Sequence, residues 1–440
     1  MQTKIPFMLS AIRSLDITRL GTFQDCLRAP VHRWFKYPAG FSYRLVEMFI
    51  EELRLTQSHW VLDPFVGTGT VSIVAKQKGV NSVGIEAHPF IHWVAQVKCF
   101  WEFDMKRLYS KLTELLAYIR SPSVEELYQK DLSEFPELLH KCFSQQNLHK
   151  LKFLRDTIKS FELLPEERDF FLLVLVDTLR TATKAGAGWP YIAPSKYHEK
   201  QERDAIIVFS KTASMFYQDL VAIHNKWRPL QVACNLLLHD ARQPYPLNEA
   251  SVDLVITSPP YLNNYDYADR TRLELYFLGW AKSWRDITTK VRQRLITSST
   301  TQVRRSEFNE EPLSDELREL APSAYKELKA KIKQLSQIRH SKNGKKSYDL
   351  MVAGYCNDML QVLKQVYRVL KPKAPFVLVL GDSAPYGVHI PTDVYLKEMA
   401  IGIGFQNCTI ETLRKRGEKW HNNTQRHQML LKETLITFWR

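Results

Sequence analysis

The chain has 440 residues, 45% hydrophobic and 12% aromatic, which is enough to bury a sizeable core and excludes a disordered chain. With 61 Lys and Arg against 47 Asp and Glu, its formal charge is +14; this points to a polyanionic partner but names no chemistry. The six cysteines show no CxxC spacing, the N-terminus has no sustained apolar region or cleavage site, and the longest strongly apolar run (Phe170 to Val176) is too short to span a bilayer. A soluble, cytoplasmic protein with no membrane partner is expected.

In chain order, a Pro38-Ala39-Gly40 break precedes helically spaced apolar residues over 41–53. Trp60-Val61-Leu62 reads as a buried strand ending at Asp63. A Gly-rich turn, a helix from about Val71 to Lys78 and a second strand, Ser82 to Ile85, follow. This is the opening of a parallel α/β sheet. From 101 to 230 the apolar stripes are helical, one through Met105, Leu108, Leu112, Leu115 and Ile119, another through Leu148, Leu151, Leu154 and Ile158. Pro165-Glu166-Glu167 has the composition of a helix start. Strand patterns return at Leu236–Leu238 before Asp240 and at Val252–Ile256. After an irregular, polar stretch at 284–348, a helix from Leu350 to Leu370 leads to a strand at Phe376–Leu380. Cys408–Ile410 and Leu435–Phe438 are expected to pair as an antiparallel edge. The domain reading is therefore a catalytic domain in three pieces (1–100, 231–283 and 349–440), interrupted by a helical insertion at 101–230 and a basic insertion at 284–348.

Two motifs carry chemistry. Asp63-Pro64-Phe65-Val66-Gly67-Thr68-Gly69-Thr70 sits at a strand-to-helix turn, where glycines let the backbone approach a ligand. It lacks the Gly-Lys-Ser/Thr of a P-loop and is not GxGxxG. Glu86, ending the next strand, can accept hydrogen bonds from two ribose hydroxyls or simply cap a helix. Asp240 can take an adenine amino group or serve as an ordinary strand end. The second motif is Ser258-Pro259-Pro260-Tyr261, directly after a buried strand. Its prolines keep the backbone out of a ladder, so the Ser258 hydroxyl and the Pro259 carbonyl stand as acceptors at the carboxyl edge of the sheet, and Tyr261 offers a flat face to a base. Two acceptors pulling on the hydrogens of an exocyclic amine favour a tetrahedral nitrogen that can attack a methyl sulfonium.

DPFVGTGT and TSPPY resemble motifs I and IV of the S-adenosylmethionine-dependent amino-methyltransferases of nucleic acids, and the serine-first form is most similar to the N4-cytosine DNA methyltransferases. Phe35-Lys36-Tyr37-Pro38 with Phe41 resembles the motif that helps hold the methionine moiety, and Arg368–Pro372 leading to Gly381-Asp382-Ser383 resembles a later strand of the same fold. The resemblance implies a Rossmann-like fold with a mostly parallel seven-stranded sheet and S-adenosylmethionine as cofactor. Tyr37, Pro38, Asp63, Phe65, Gly67, Gly69, Thr70, Glu86 and Asp240 would line its pocket, and Ser258, Pro259, Pro260 and Tyr261 would hold a flipped cytosine from double-stranded DNA. A cognate restriction nuclease is a partner implied by the family alone. Adenine N6, an amino group in tRNA or rRNA, and a non-catalytic nucleic-acid-binding module are the alternatives. C5-cytosine chemistry is disfavoured because no cysteine follows a proline.

Weaker signals remain open. A metal at His88 and His92 lacks a third ligand. The acids from Asp266 to Asp269 either shape the base pocket or cap the next helix. Trp189-Pro190-Tyr191 reads as a loop. The 284–348 stretch holds 15 Lys and Arg against 8 acids, half of the chain's excess charge. Its Thr297–Thr301 run suits phosphate contacts, while Lys326–Lys333 reads equally well as a solvated helix face. A second basic cluster spans Arg414–Arg416 and Lys419–Arg426.

Overall fold

The computed structural model describes residues 17–37, 40–120, 131–185, 201–226, 231–263, 265–341, 346–416 and 429–440. Seven strands form one sheet in the order β3-β2-β1-β4-β5-β7-β6. They are β1 (Trp60–Asp63), β2 (Asn81–Glu86), β3 (Cys234–Leu238), β4 (Leu254–Thr257), β5 (Pro375–Gly381), β6 (Gln406–Arg416) and β7 (Leu431–Trp439). The first five pair in parallel, and β7 runs antiparallel between β5 and β6, as expected from the C-terminal strand patterns. The result is the Rossmann-like methyltransferase fold.

Side-chain alternation divides β5 between two cores. Phe376, Leu378 and Leu380 face one side, and Val377 and Val379 the other. The Val377 side is covered by helices α1 (Tyr43–Glu52) and α2 (Thr70–Gln77). Helices α3 (Pro89–Cys99), α4 (Met105–Ile119), α5 (Gln145–Ser160), α6 (Pro165–Ala182) and α7 (Ala205–Lys226) build a separate helical core, in which Trp34, Phe35, Phe170 and Phe216 are wholly buried. At the start of α6 the Glu167 carboxylate accepts from the Leu164 amide at 2.8 Å, a first-turn acid in its favoured place. α7 is the one helix among the described residues long and apolar enough to cross a membrane; half of its apolar stretch is buried, against α4, α5 and α6, which makes it a core helix.

The 284–348 stretch differs from the irregular segment expected. After α8 (Arg272–Leu278) and α9 (Trp284–Lys290) it carries the 20-residue α10 (Pro322–Ser341), which buries Ala324, Tyr325, Leu328, Ile332 and Leu335. These lie against α11 (Tyr348–Val369) and α12 (Thr392–Ile403), over the Phe376 side of the sheet. Lys326, Lys329 and Lys333 fill the solvent face between the buried positions, so the solvated helix face read at Lys326–Lys333 is what the structure holds there.

Candidate active site

A ligand cleft belongs where strand order reverses, outside the carboxyl ends of β1 and β4. The cleft found there encloses about 890 Å³ of free space, solvent at its mouth included. Its wall includes Tyr37, Asp63, Phe65, Gly67, Thr70, Glu86, Asp240, Ser258 and Pro260, residues separated by more than two hundred positions in the chain.

Asp63 ends β1 with its carboxyl almost wholly buried. Its Oδ1 accepts from the Phe65 amide at 3.0 Å and from the Thr257 hydroxyl at 2.5 Å. The second bond ties the Gly-rich turn to the residue before Ser258. Burial pushes Asp63 up to about 7, against the opposing pull of those two donors. Gly67 and Gly69 have φ of +53° and +93°, a left-handed conformation that favours glycine. The Gly67 amide donates to Glu86 Oε2 at 3.1 Å. Gly69 caps α2 instead of lining the cleft, and a Cβ there would meet the Cys99 sulfur at 3.3 Å.

Glu86 also accepts from the His88 amide at 2.8 Å, so each carboxyl oxygen holds one amide and keeps a lone pair for another donor. Desolvation in the cleft wall pushes it up to about 7; the His88, Gly67 and Ala87 amides lower it and the neighbouring Asp63 raises it. A carboxyl in that state is short of donors, and the two hydroxyls of a ribose would supply them. Asp240 is engaged by Arg242, at 2.6 Å to Oδ2, and Arg242 reaches on to Asp358 at 3.3 Å. With Phe65, Ala241, Ile296 and Tyr267 as largely apolar walls, the residues present fit a nucleoside with a charged tail.

The SPPY residues divide. Ser258 and Pro260 line the cleft, whereas the Tyr261 ring is only 6% exposed. Its hydroxyl donates to Glu433 Oε1 at 2.6 Å, and the Arg416 guanidinium lies 5.4 Å from its ring centre. An open stacking face on Tyr261 is therefore not what the structure holds; Arg416 must leave for a base to lie there. Sequence reading missed Glu433 altogether, since one acid in a strand pattern carries no signal.

Before β1, Val31 and Phe35 adopt positive φ, of 64° and 49°. Asp219 on α7 fixes this segment, accepting from the Val31 amide at 3.1 Å, the Trp34 indole at 2.9 Å and the Arg33 Nε at 2.9 Å. The helical region thus anchors the segment that leads to Tyr37 on the cleft wall; Pro38 lies outside the described residues. His88 hydrogen-bonds Thr271 at 2.7 Å and His92 the Leu236 carbonyl at 3.1 Å, both in structural contacts. Asp266 caps a helical turn, accepting from the Ala268 amide at 3.1 Å, and pairs with Arg292 at 2.8 Å.

Much of the Thr297–Thr301 run, expected to suit phosphate contacts, is engaged within the protein, although Thr301 is exposed. The Thr297 amide donates to Asp358, the Ser298 and Ser299 amides to Gln302, and Thr301 to Asp266, each at 2.8 Å. Much of the basic excess is also paired locally, Arg304 with Glu307, Arg318 with Asp315, Lys331 with Glu327 and Arg339 with Asp349. Arg294 differs; it is exposed and lines the cleft mouth. Trp189–Tyr191 and Lys419–Arg426 lie outside the described residues.

Residues 18–97, which hold the Gly-rich turn and Glu86, match the DNA methylase family. The matched motif, the fold and the alignments support an amino-methyltransferase of the N4/N6 DNA methylase family. It is 27% identical to the Type II methyltransferase M.BsoBI of Geobacillus stearothermophilus, over 96% of this chain and 87% of that protein. It is 25% identical to the Type II methyltransferase M.AvaI of Nostoc sp., over 88% and 81%. To the Type II methyltransferase M.MvaI of Kocuria varians it is 22% identical, over 86% and 83%. The cofactor of this family is S-adenosylmethionine, and the fit of the cleft agrees with it.

Proposed function

We propose that this methyltransferase acts on the exocyclic N4 amine of a cytosine flipped out of double-stranded DNA, at a specific site, in the cytoplasm and as the modifying half of a restriction-modification pair. The observation that carries the reading is the Ser258 hydroxyl on the wall of the same cleft as Glu86 and Asp63. S-adenosylmethionine supplies an electrophilic methyl group when bound. The chain's own residues do the rest.

Glu86 and the Gly67 turn would hold the ribose end of the cofactor, Asp240 its adenine, and Tyr37 its methionine end. Ser258 Oγ and the Pro259 carbonyl accept the two amine hydrogens, drawing the nitrogen lone pair out of conjugation with the ring. The Thr257–Asp63 bond keeps this acceptor pair in register with the cofactor turn. Proton loss from the methylated ammonium requires no strong base, because that ammonium is acidic. Unstacking the target costs a few kcal/mol and is offset by contacts inside the cleft.

The test is transfer of label from S-adenosylmethionine to DNA and to RNA, followed by digestion and identification of the modified nucleosides. Label at cytosine N4 in DNA supports the reading. N6-methyladenine, or label in RNA alone, overturns the choice of target, and no label on any substrate supports a non-catalytic binding module.

A further inference from the structure

Ser258 serves the proposed reaction only as an acceptor, so its own proton must point away from the incoming amine. Hydroxyl rotors are free unless a neighbour takes that proton. The neighbour is Tyr261, whose hydroxyl oxygen lies 3.5 Å from Ser258 Oγ, at the long limit of a hydrogen bond. Tyr261 in turn donates to Glu433 Oε1 at 2.6 Å. Arg414 Nε donates to the other carboxylate oxygen, Oε2. Glu433 is 2% exposed, on β7 next to the end of β5, so this chain runs through the protein and not through solvent.

The direction of the chain is set at its buried end. Burial, and then the Glu433 carboxylate, push the Tyr261 hydroxyl well above its ordinary value, so it keeps its proton. A carboxylate only accepts, so that proton goes to Glu433. The Tyr261 oxygen is then left with lone pairs alone, and the Ser258 proton is its available donor.

Resting on the proposed function, we propose that Glu433 is a positioning residue for methyl transfer: through Tyr261 it orients the Ser258 hydroxyl with its lone pairs toward the target amine. It touches neither cofactor nor base. Its action requires the polarity of the chain, and that can be reversed without changing its shape. In Glu433→Gln the Arg414 Nε–H holds the amide oxygen, which turns the NH₂ toward Tyr261. The tyrosine then accepts, and its proton turns to Ser258 Oγ, occupying a lone pair that the amine needs.

The experiment measures single-turnover methyl transfer to DNA, together with S-adenosylmethionine affinity, for wild type, Glu433→Gln, Tyr261→Phe and the double variant. The thermal midpoint of each serves as a control for folding. Expected is a loss in rate of about ten- to a hundredfold in Glu433→Gln, with cofactor affinity within about twofold of wild type. The double variant should lose no more than the slower single variant, because both changes cut one chain. Rates that match an active wild type, or losses that multiply in the double variant, overturn the proposal alone. A wild-type protein that labels no DNA overturns the proposed function and this inference with it.

Discussion

Raising the pH from about 6 to about 8 should tighten S-adenosylmethionine binding roughly tenfold, and Glu86→Gln should remove that gain. Glu86 stands at about 7 in the free protein because the cleft wall desolvates it more than its backbone amide donors compensate. Ribose hydroxyls donated to it favour the charged form, so binding pulls the proton off. At the lower pH about nine-tenths of the free carboxyl is protonated and must ionise before it can accept; at the higher pH about one-tenth is. The ratio of those penalties is about ten, or roughly 1.4 kcal/mol. Calorimetric titration of wild type and Glu86→Gln at both pH values reads the difference directly, and the variant cancels any titration of the cofactor itself. Asp63, also near 7 and close enough to raise Glu86, gives a second marker: a dependence steeper than one proton assigns it to the same equilibrium. The sign for folding is the opposite. Both folded values lie above the ordinary carboxylate range, so the contribution of these groups to stability is complete below about 4 and is lost as pH rises through about 7. Equal affinities at the two pH values, or an unchanged slope in Glu86→Gln, would refute the ribose assignment.

Ser258→Ala should cut turnover by about a hundredfold or more while leaving cofactor affinity within about twofold, measured by label transfer and by equilibrium binding; joint loss of both would contradict its place on the base side. At Gly84, on β2, an added Cβ would lie 2.7 Å from both the Leu236 and Val66 side chains. Gly84→Ala should therefore cost about 1–3 kcal/mol in denaturant unfolding and weaken cofactor binding by shifting the turn that carries Val66; a stable variant with unchanged binding would show that the turn yields freely. DNA affinity should fall steeply with salt, and Arg294→Ala should reduce the logarithmic slope by about one, while Arg318→Ala, already paired with Asp315, should leave it nearly unchanged. Equal effects of the two variants would remove Arg294 from the substrate path.

The two site motifs could be read in the sequence because each is local. Asp63–Thr70 and Ser258–Tyr261 are single turns after buried strands, and their glycines and prolines leave the backbone few conformations. The antiparallel C-terminal edge was equally legible, from two β-rich runs at the end of the chain. Of α10 only the solvated face at Lys326–Lys333 was legible; its full length and its buried Ala324, Leu328 and Ile332 were not, because lysines dominate the composition between them. The grip of Asp219 on Val31 and Trp34 joins positions nearly two hundred residues apart, and no local pattern announces it.

Composition, motif and period were sufficient for the α/β class and for locating the Gly-rich turn and the Ser258–Tyr261 turn, since these depend on short-range backbone geometry and on side chains a few positions apart. Tertiary packing alone assigned the excess charge and the surroundings of Tyr261. Whether a lysine meets a phosphate or a neighbouring glutamate depends on which helix face is buried, and whether a tyrosine ring is open depends on a strand that arrives more than a hundred and fifty residues later. The +14 of the chain is thus only partly a binding surface: Arg304, Arg318, Lys331 and Arg339 are paired within the protein, while Arg294 stands at the cleft. The physical reason is that charge and aromaticity are properties of a residue, but availability to a partner is a property of its neighbours.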